Sequence, residues 1–179
     1  MKPTEAKEKL IQLLANKELY GHPDIVAAYE RVLGRLTIKF SLFHYILERM
    51  SWELWGLSTQ TGEILTKDLR LSHLIDKLSA SVDHVISEKH QDEFKSLLSL
   101  ARKTAEKRNT LLHSLWIVHN GKPIICVDRK RGILGDKDIA VEEIEKFNSE
   151  IIDLTFLFIE FEKKHQNLGL GLNLDSSTK

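Results

Sequence analysis

The stretch HQDEFKSLLSLARKTAEKRNTLLHSL, residues His90 to Leu115, decides the fold because its apolar residues recur at helical spacing. Successive positions of the stripe are three or four residues apart, the repeat of one helix face: Phe94, Leu98, Ala101, Ala105, Arg108, Leu112 and Leu115. Arg108 interrupts this stripe, so a side chain that cannot lose its charge points where apolar side chains point. The stretch therefore predicts a core helix with a positively charged side chain on its buried apolar face.

The same periodicity extends outward along the chain. It predicts long helices over about Asp24–Trp55, Leu71–Ser87 and Asp138–His165, and a short amphipathic helix over Thr4–Leu19. Residues 56–62 are rich in Ser, Thr and Gly and are predicted as a loop. The expected core stripes of the three long helices are Ile25, Tyr29, Val32, Leu36, Phe40, Phe43, Leu47, Met50 and Leu54; Leu74, Ile75, Leu78, Val82 and Ile86; and Ala140, Ile144, Phe147, Ile151, Leu154, Phe158 and Phe161.

Two short segments before the last helix have the composition of strands. Trp116–His119 and Pro123–Val127 are rich in β-branched and aromatic residues, and Asn120-Gly121 separates them. Asn-Gly favours a two-residue hairpin turn, since both turn positions need a positive φ. A basic loop with two glycines, 129–135, follows. The predicted fold class is mainly α: a five-helix bundle with one small β-hairpin inserted before the last helix.

Length and composition fit a soluble domain of ordinary size. The chain has 179 residues, 42% of them hydrophobic, which predicts a single domain over 1–166 and a flexible tail over 167–179. The single cysteine, Cys126, excludes an intrachain disulfide and fits a reducing compartment. The charged start indicates no signal peptide, and the apolar runs are too short to span a bilayer. We expect a cytoplasmic protein without a membrane association.

The net charge of zero conceals an uneven distribution of charged residues. Between Ala101 and Arg131, Glu106 and Asp128 are the acids that oppose the following basic residues: Arg102, Lys103, Lys107, Arg108, Lys122, Arg129, Lys130 and Arg131. A local basic field attracts a polyanion even when the whole chain is neutral. The alternative is a solvated surface in which the charges cluster by chance.

Arg108, Asn109 and His113 combine the groups needed for chemistry on a phosphate. Histidine transfers protons near neutral pH, and arginine stabilises the charge that develops on a phosphate in the transition state. Asn109 lies one helical turn before His113 and can orient the ring or a ligand by hydrogen bonding, and Ser114 adds a hydroxyl. The alternative is a structural arginine that reaches solvent or pairs with a buried glutamate.

The segment Arg108-Asn109-Thr110-Leu111-Leu112-His113 resembles the signature of the HEPN superfamily, an arginine followed by a polar residue and, four to six residues on, a histidine. The resemblance covers the helical body from Asp24 to His165. It implies a metal-independent endoribonuclease that acts as a homodimer on RNA, with Arg108 and His113 of both chains in a shared cleft. His113 would act on the ribose 2′-OH or the leaving 5′-oxygen and Arg108 would hold the phosphate, giving a 2′,3′-cyclic phosphate.

The resemblance also implies an acidic residue on the earlier long helix. Glu48 is the first candidate to orient Arg108, and Glu53 is the alternative; either can instead be a solvated glutamate. The expected RNA-binding residues are Lys107, Ser114, Lys122, Arg129, Lys130 and Arg131. No cofactor and no metal are expected. The family context allows a toxin–antitoxin, stress or anti-phage role, with a protein antitoxin or regulator as partner. The alternative function is a non-catalytic dimerisation or partner-binding module of the same fold.

Overall fold

The computed structural model describes residues 23–113, 115–119, 122–126 and 137–166, with side chains over 23–113 and 139–164. This part of the chain is mainly helical, as predicted. Its elements, in chain order, are α1 (Pro23–Leu54), α2 (Thr59–Thr66), α3 (Leu71–Val85), α4 (Glu88–His113), β1 (Leu115–His119), β2 (Lys122–Cys126), β3 (Lys137–Asp138) and α5 (Val141–Gln166). The predicted helix Thr4–Leu19, the Asn120-Gly121 turn, the basic loop 129–135 and the tail 167–179 lie outside the described residues.

The chain divides into two compact units, each made from separate stretches of sequence. Among the described residues, the first contains those within 23–38 and 106–149, and the second contains those within 39–105 and 150–166. Helices α1, α4 and α5 contribute residues to both. The expectation of a single domain over 1–166 stays a prediction.

The predicted apolar stripes form the core of the described chain. In α1, Ile25 is half-buried and every other residue of the predicted stripe is buried. All five stripe residues predicted in and just after α3 are buried as well. In α5 the stripe is buried from Ile144 to Phe161, whereas Ala140 precedes the helix and is exposed. In α4 the stripe passes from Ala105 to Leu111, which is buried, while Leu112 is half-buried. The expectation of Leu112 as the next core residue was therefore wrong by one position.

The strands of the first unit form a small antiparallel sheet in the order β1–β2–β3. Strand β1 pairs with β2, with Leu115 opposite Cys126 and His119 opposite Lys122, at the place where the sequence predicts a hairpin. Strand β3, which the sequence did not predict, pairs with Ile124 and Ile125. Because Lys137–Asp138 is extended, α5 begins at Val141 and the predicted start at Asp138 was wrong.

Polar contacts join α1 to α5 and to the segment before it within the first unit. Tyr29 Oη donates to the carbonyl of Ile139 at 2.7 Å, and the buried amide of Asn148 donates from Nδ2 to the carbonyl of Val32 at 3.0 Å. Arg35 forms an exposed ion pair with Glu145 at 3.8 Å. A buried polar group keeps its place only when it is hydrogen-bonded, so Asn148 fixes the register of the two helices.

Aromatic rings connect α1, α4 and α5 within the second unit. The ring of Phe43 lies 5.8 Å from that of Phe158, measured between centroids. Phe94 meets Phe158 edge-on at 6.3 Å and stacks on Phe161 at 4.9 Å. All four side chains are buried, and offset or edge-to-face rings add to the energy of apolar burial.

Helix α2 begins inside the stretch 56–62 that the sequence predicted as a loop, so that prediction was wrong from Thr59 onward. Gly56, with φ of 66°, ends α1: its N–H donates to Glu53 and the N–H of Leu57 donates to Trp52. This pair of bonds is the Schellman arrangement that stops a helix at glycine. Ser58 then caps the next helix by accepting from the N–H of Thr61.

Candidate functional site

The last two turns of α4 carry the residues that the sequence singled out. Arg108 is half-buried, whereas Asn109 and His113 are exposed, and His113 is the final residue of the helix. At 3.6 residues per turn, Asn109 and His113 lie on one face. Arg108 is five residues from His113, so the two positions are separated by roughly 140° around the helix axis.

The arginine and the asparagine of this segment are joined directly. Arg108 Nη1 donates to Asn109 Oδ1 at 3.0 Å, and the Nε atom of the same guanidinium is buried. Burial lowers the pKa of Arg108 from its usual value, yet a guanidinium stays protonated in proteins. The cation is thus held in a fixed orientation by its neighbour. The expected orientation of the His113 ring by Asn109 stays a prediction.

Lys107 is fixed by an aromatic ring of α5. Its Nζ lies 4.2 Å from the centroid of the Phe147 ring, and Phe147 is buried on the core stripe. This is a cation–π geometry, in which the negative face of the ring attracts the ammonium. The side chains of the other expected RNA-binding residues lie outside the described ones: Ser114, Lys122, Arg129, Lys130 and Arg131.

The expected acidic partner, Glu48, belongs to the second unit. Glu48 is half-buried, and its Oε1 lies 3.8 Å from His44 Nε2, one turn earlier on α1. Desolvation by burial raises the pKa of the Glu48 carboxyl. Glu48 is therefore not simply a solvated glutamate. Because Arg108 belongs to the first unit, orientation of Arg108 by Glu48 stays a prediction.

The alternative candidate, Glu53, lies beside a carboxyl group that the sequence analysis missed. Glu53 Oε1 is 3.4 Å from Arg49 Nη2, and the Glu53 side chain is hydrogen-bonded to that of Glu162 on α5. Burial, followed by the effect of Glu53, raises the pKa of Glu162 to about 7. A signal existed in the sequence, since Glu162 is one turn after the core residue Phe158 and so lies at the edge of the stripe.

Two further observations concern metals and membranes. Over residues 23–113 and 139–164, no three His, Cys, Asp or Glu side chains are grouped closely enough to hold a metal ion. None of the helices from α1 to α5 combines the length and the apolar content that crossing a bilayer requires.

The last two turns of α4 carry two positively charged side chains that can bind an anion and one imidazole that can exchange a proton. The oriented guanidinium of Arg108 and the ammonium of Lys107 supply positive charge, and the exposed imidazole of His113 supplies a titratable group at the helix end. Compared with known proteins, the chain matches no family model, no curated protein and no solved structure.

Proposed function

We propose that this protein is a metal-independent endoribonuclease of the HEPN type. The observation that carries the proposal is the half-buried Arg108, oriented by Asn109 one residue away, on the same two helical turns as the exposed His113. Burying part of a guanidinium is costly, and the position is hard to explain by packing alone. A phosphate that gains negative charge during a reaction is a ligand whose interaction with the fixed cation offsets this desolvation cost.

In the proposed reaction, the ribose 2′-oxygen attacks the adjacent phosphorus and the bond to the 5′-oxygen breaks. His113 accepts the proton of the 2′-OH or supplies a proton to the departing 5′-oxygen, and a second His113 in a shared cleft takes the other role. Arg108 stabilises the charge on the phosphate oxygens. The products are a 2′,3′-cyclic phosphate and a free 5′-OH, so no water is consumed in this step.

A homodimer is part of the proposal because a single chain has one His113 and one Arg108 at the motif. Large apolar side chains are exposed on several helices: Ile38 at 72%, Ile64 at 79% and Phe156 at 58%. Singly exposed apolar residues are ordinary on protein surfaces, so the dimer is proposed from the chemistry of the motif and not from these side chains.

The test is RNA cleavage in the presence of EDTA. Wild-type protein should cleave single-stranded RNA and leave cyclic phosphate ends, and His113→Ala should lower the rate by at least about 100-fold, the usual contribution of an acid–base group. Arg108→Ala should be impaired to a similar degree, while Arg108→Lys should recover little because a lysine cannot reproduce the bidentate geometry. Cleavage that persists in His113→Ala would rule out the proposed mechanism.

A non-catalytic interaction module of the same fold is the second candidate. The hydrogen bond between Arg108 and Asn109 and the burial of the arginine also suit a cation that fixes a partner or a dimer. In that case Arg108→Ala should lower the stability or the association of the protein, and His113→Ala should leave both unchanged. RNA should remain intact with every variant, including the wild type.

A further inference from the structure

Lys107 and Arg108 are adjacent on α4, and each is held by a different contact within the first unit. Lys107 Nζ lies over Phe147 at 4.2 Å, and Arg108 Nη1 donates to Asn109 Oδ1 at 3.0 Å. The two positions are about 100° apart around the helix. Two long cationic side chains are therefore each held by a contact within the chain itself.

Phe147 is placed so that it can act on the lysine without touching a ligand. Its side chain is 1% exposed, so a bound polyanion cannot reach the ring. Lys107 itself is exposed and remains open to solvent on the side away from the ring. A lysine side chain normally loses conformational entropy when it binds an anion. A lysine that already contacts an aromatic ring has less entropy to lose.

We propose that Phe147 is a positioning residue for RNA binding, and that the Lys107 ammonium it holds forms, with Arg108, a two-cation clamp for adjacent backbone phosphates. The inference rests on the proposed function, because RNA is the polyanion assumed. The sequence predicted Lys107 as an RNA-binding residue. The new element is that a buried ring on α5 positions the Lys107 ammonium for that contact. Contacts to phosphate determine affinity and salt dependence rather than sequence preference.

The test uses the His113→Ala protein, so that RNA is bound without being cut. The probe is a fluorescent single-stranded RNA of about 20 nucleotides, titrated between roughly 50 and 200 mM salt. Adding Lys107→Met should weaken binding and reduce the slope of log K against log salt by about one phosphate contact. Lys103→Met, an exposed lysine one turn earlier on α4, is the charge-matched control and should have a smaller effect on both.

The ring is tested by a double-mutant cycle. Phe147→Leu should weaken RNA binding by about two- to five-fold, the range expected for a cation–π contact, and should have no further effect when Lys107→Met is already present. Phe158→Leu removes a buried ring of α5 that belongs to the second unit and controls for general loosening of the core. If Phe147→Leu does not fold, the comparison of Lys107→Met with Lys107→Arg decides, since arginine can also stack on the ring and should retain binding.

The outcomes separate this inference from the proposed function. If wild-type protein does not cleave RNA but the His113→Ala protein binds it in a manner that depends on Lys107 and Phe147, the nuclease proposal fails and the clamp stands. If cleavage occurs but Lys107→Met behaves like Lys103→Met, or Phe147→Leu acts independently of Lys107, the clamp is overturned alone. Absence of RNA binding by the His113→Ala protein also overturns the clamp.

Discussion

Glu162 has an environment that favours its protonated form. Its carboxyl is half-buried on α5 and hydrogen-bonded to Glu53, which itself pairs with Arg49. Two neighbouring carboxylates repel each other, and one shared proton removes that repulsion. Arg49 and Lys163 oppose the effect, but the pKa of Glu162 still rises from 4.5 to about 7.

This pKa predicts a stability that falls as the pH rises. A carboxyl whose pKa is raised by folding stabilises the folded chain fully below the unfolded value of about 4.5, and the contribution is lost as the pH passes about 7. Glu162→Gln, which imitates the neutral acid, should therefore raise the free energy of unfolding at pH 8 by roughly 1 kcal/mol, a figure reduced for partial solvent screening. At pH 5 the change should be small.

Urea unfolding at pH 5, 6, 7 and 8 measures this effect. Glu160→Gln alters an exposed carboxyl on the same helix and serves as the control. Equal pH profiles for wild type and Glu162→Gln would show that Glu162 does not carry the proton assigned to it.

At the scale of the element, α2 depends on a glycine that lies against an indole. A Cβ at Gly62 would overlap Trp52 Cγ. The ring is buried, and its Nε1 donates to Thr66 Oγ1 at 3.0 Å, so it cannot turn away without breaking that bond. The absence of a side chain at Gly62 is what lets α2 pack on α1 within the second unit.

Gly62→Ala should therefore destabilise the protein although alanine is the better helix former. Overpacking costs about 1–3 kcal/mol, and the gain in helix propensity offsets about 1 kcal/mol of it. Gly34→Ala is the matched control: it is also helical, and its new Cβ would meet nothing within 4 Å, so it should stabilise by up to about 1 kcal/mol. Thermal and urea unfolding compare the two, and a Gly62→Ala protein as stable as Gly34→Ala would contradict the packing.

The helices that the sequence predicted and the helix that it missed differ in what holds them. The long helices are fixed by their own apolar stripes, which can be read from residue spacing. Helix α2 has the sequence TQTGEILT, with a glycine and three threonines and no such stripe. It is held by the Ser58 cap and by the bond between Trp52 and Thr66, which are 14 residues apart. A contact between distant residues cannot be inferred from local composition.

The candidate site shows the same division. The unusual position of Arg108 could be predicted because it interrupts a periodic stripe, and its half-burial agrees with that position. Three contacts could not be predicted: the hydrogen bond from Arg108 to Asn109, the contact of Lys107 with the Phe147 ring, and the pairing of Glu53 with Glu162. Each depends on side-chain conformation or on the approach of another helix. The roles proposed for His113 and Glu48 stay predictions.

For the whole molecule, the proposed shared cleft predicts a dimer in which each chain supplies one of the two imidazoles. Wild-type protein should sediment at about twice the chain mass of 20.6 kDa. When wild-type protein is mixed with an excess of the His113→Ala protein and allowed to exchange subunits, most wild-type chains pair with a chain that lacks the imidazole. The cleavage rate per wild-type chain should then fall well below that of wild-type protein alone. A monomer at micromolar concentration would contradict the shared cleft.

The polar contacts between α1 and α5 have a consequence for protein synthesis. Tyr29 and Ile139 are 110 positions apart, and Val32 and Asn148 are 116 apart. A ribosome releases the chain from its N-terminus, so the start of α1 leaves the exit tunnel long before its partners are translated. During that interval the buried face of α1, including Val32 and Leu36, is open to chaperones. A transcript truncated ahead of residue 139 therefore yields a nascent chain in which the first unit cannot close.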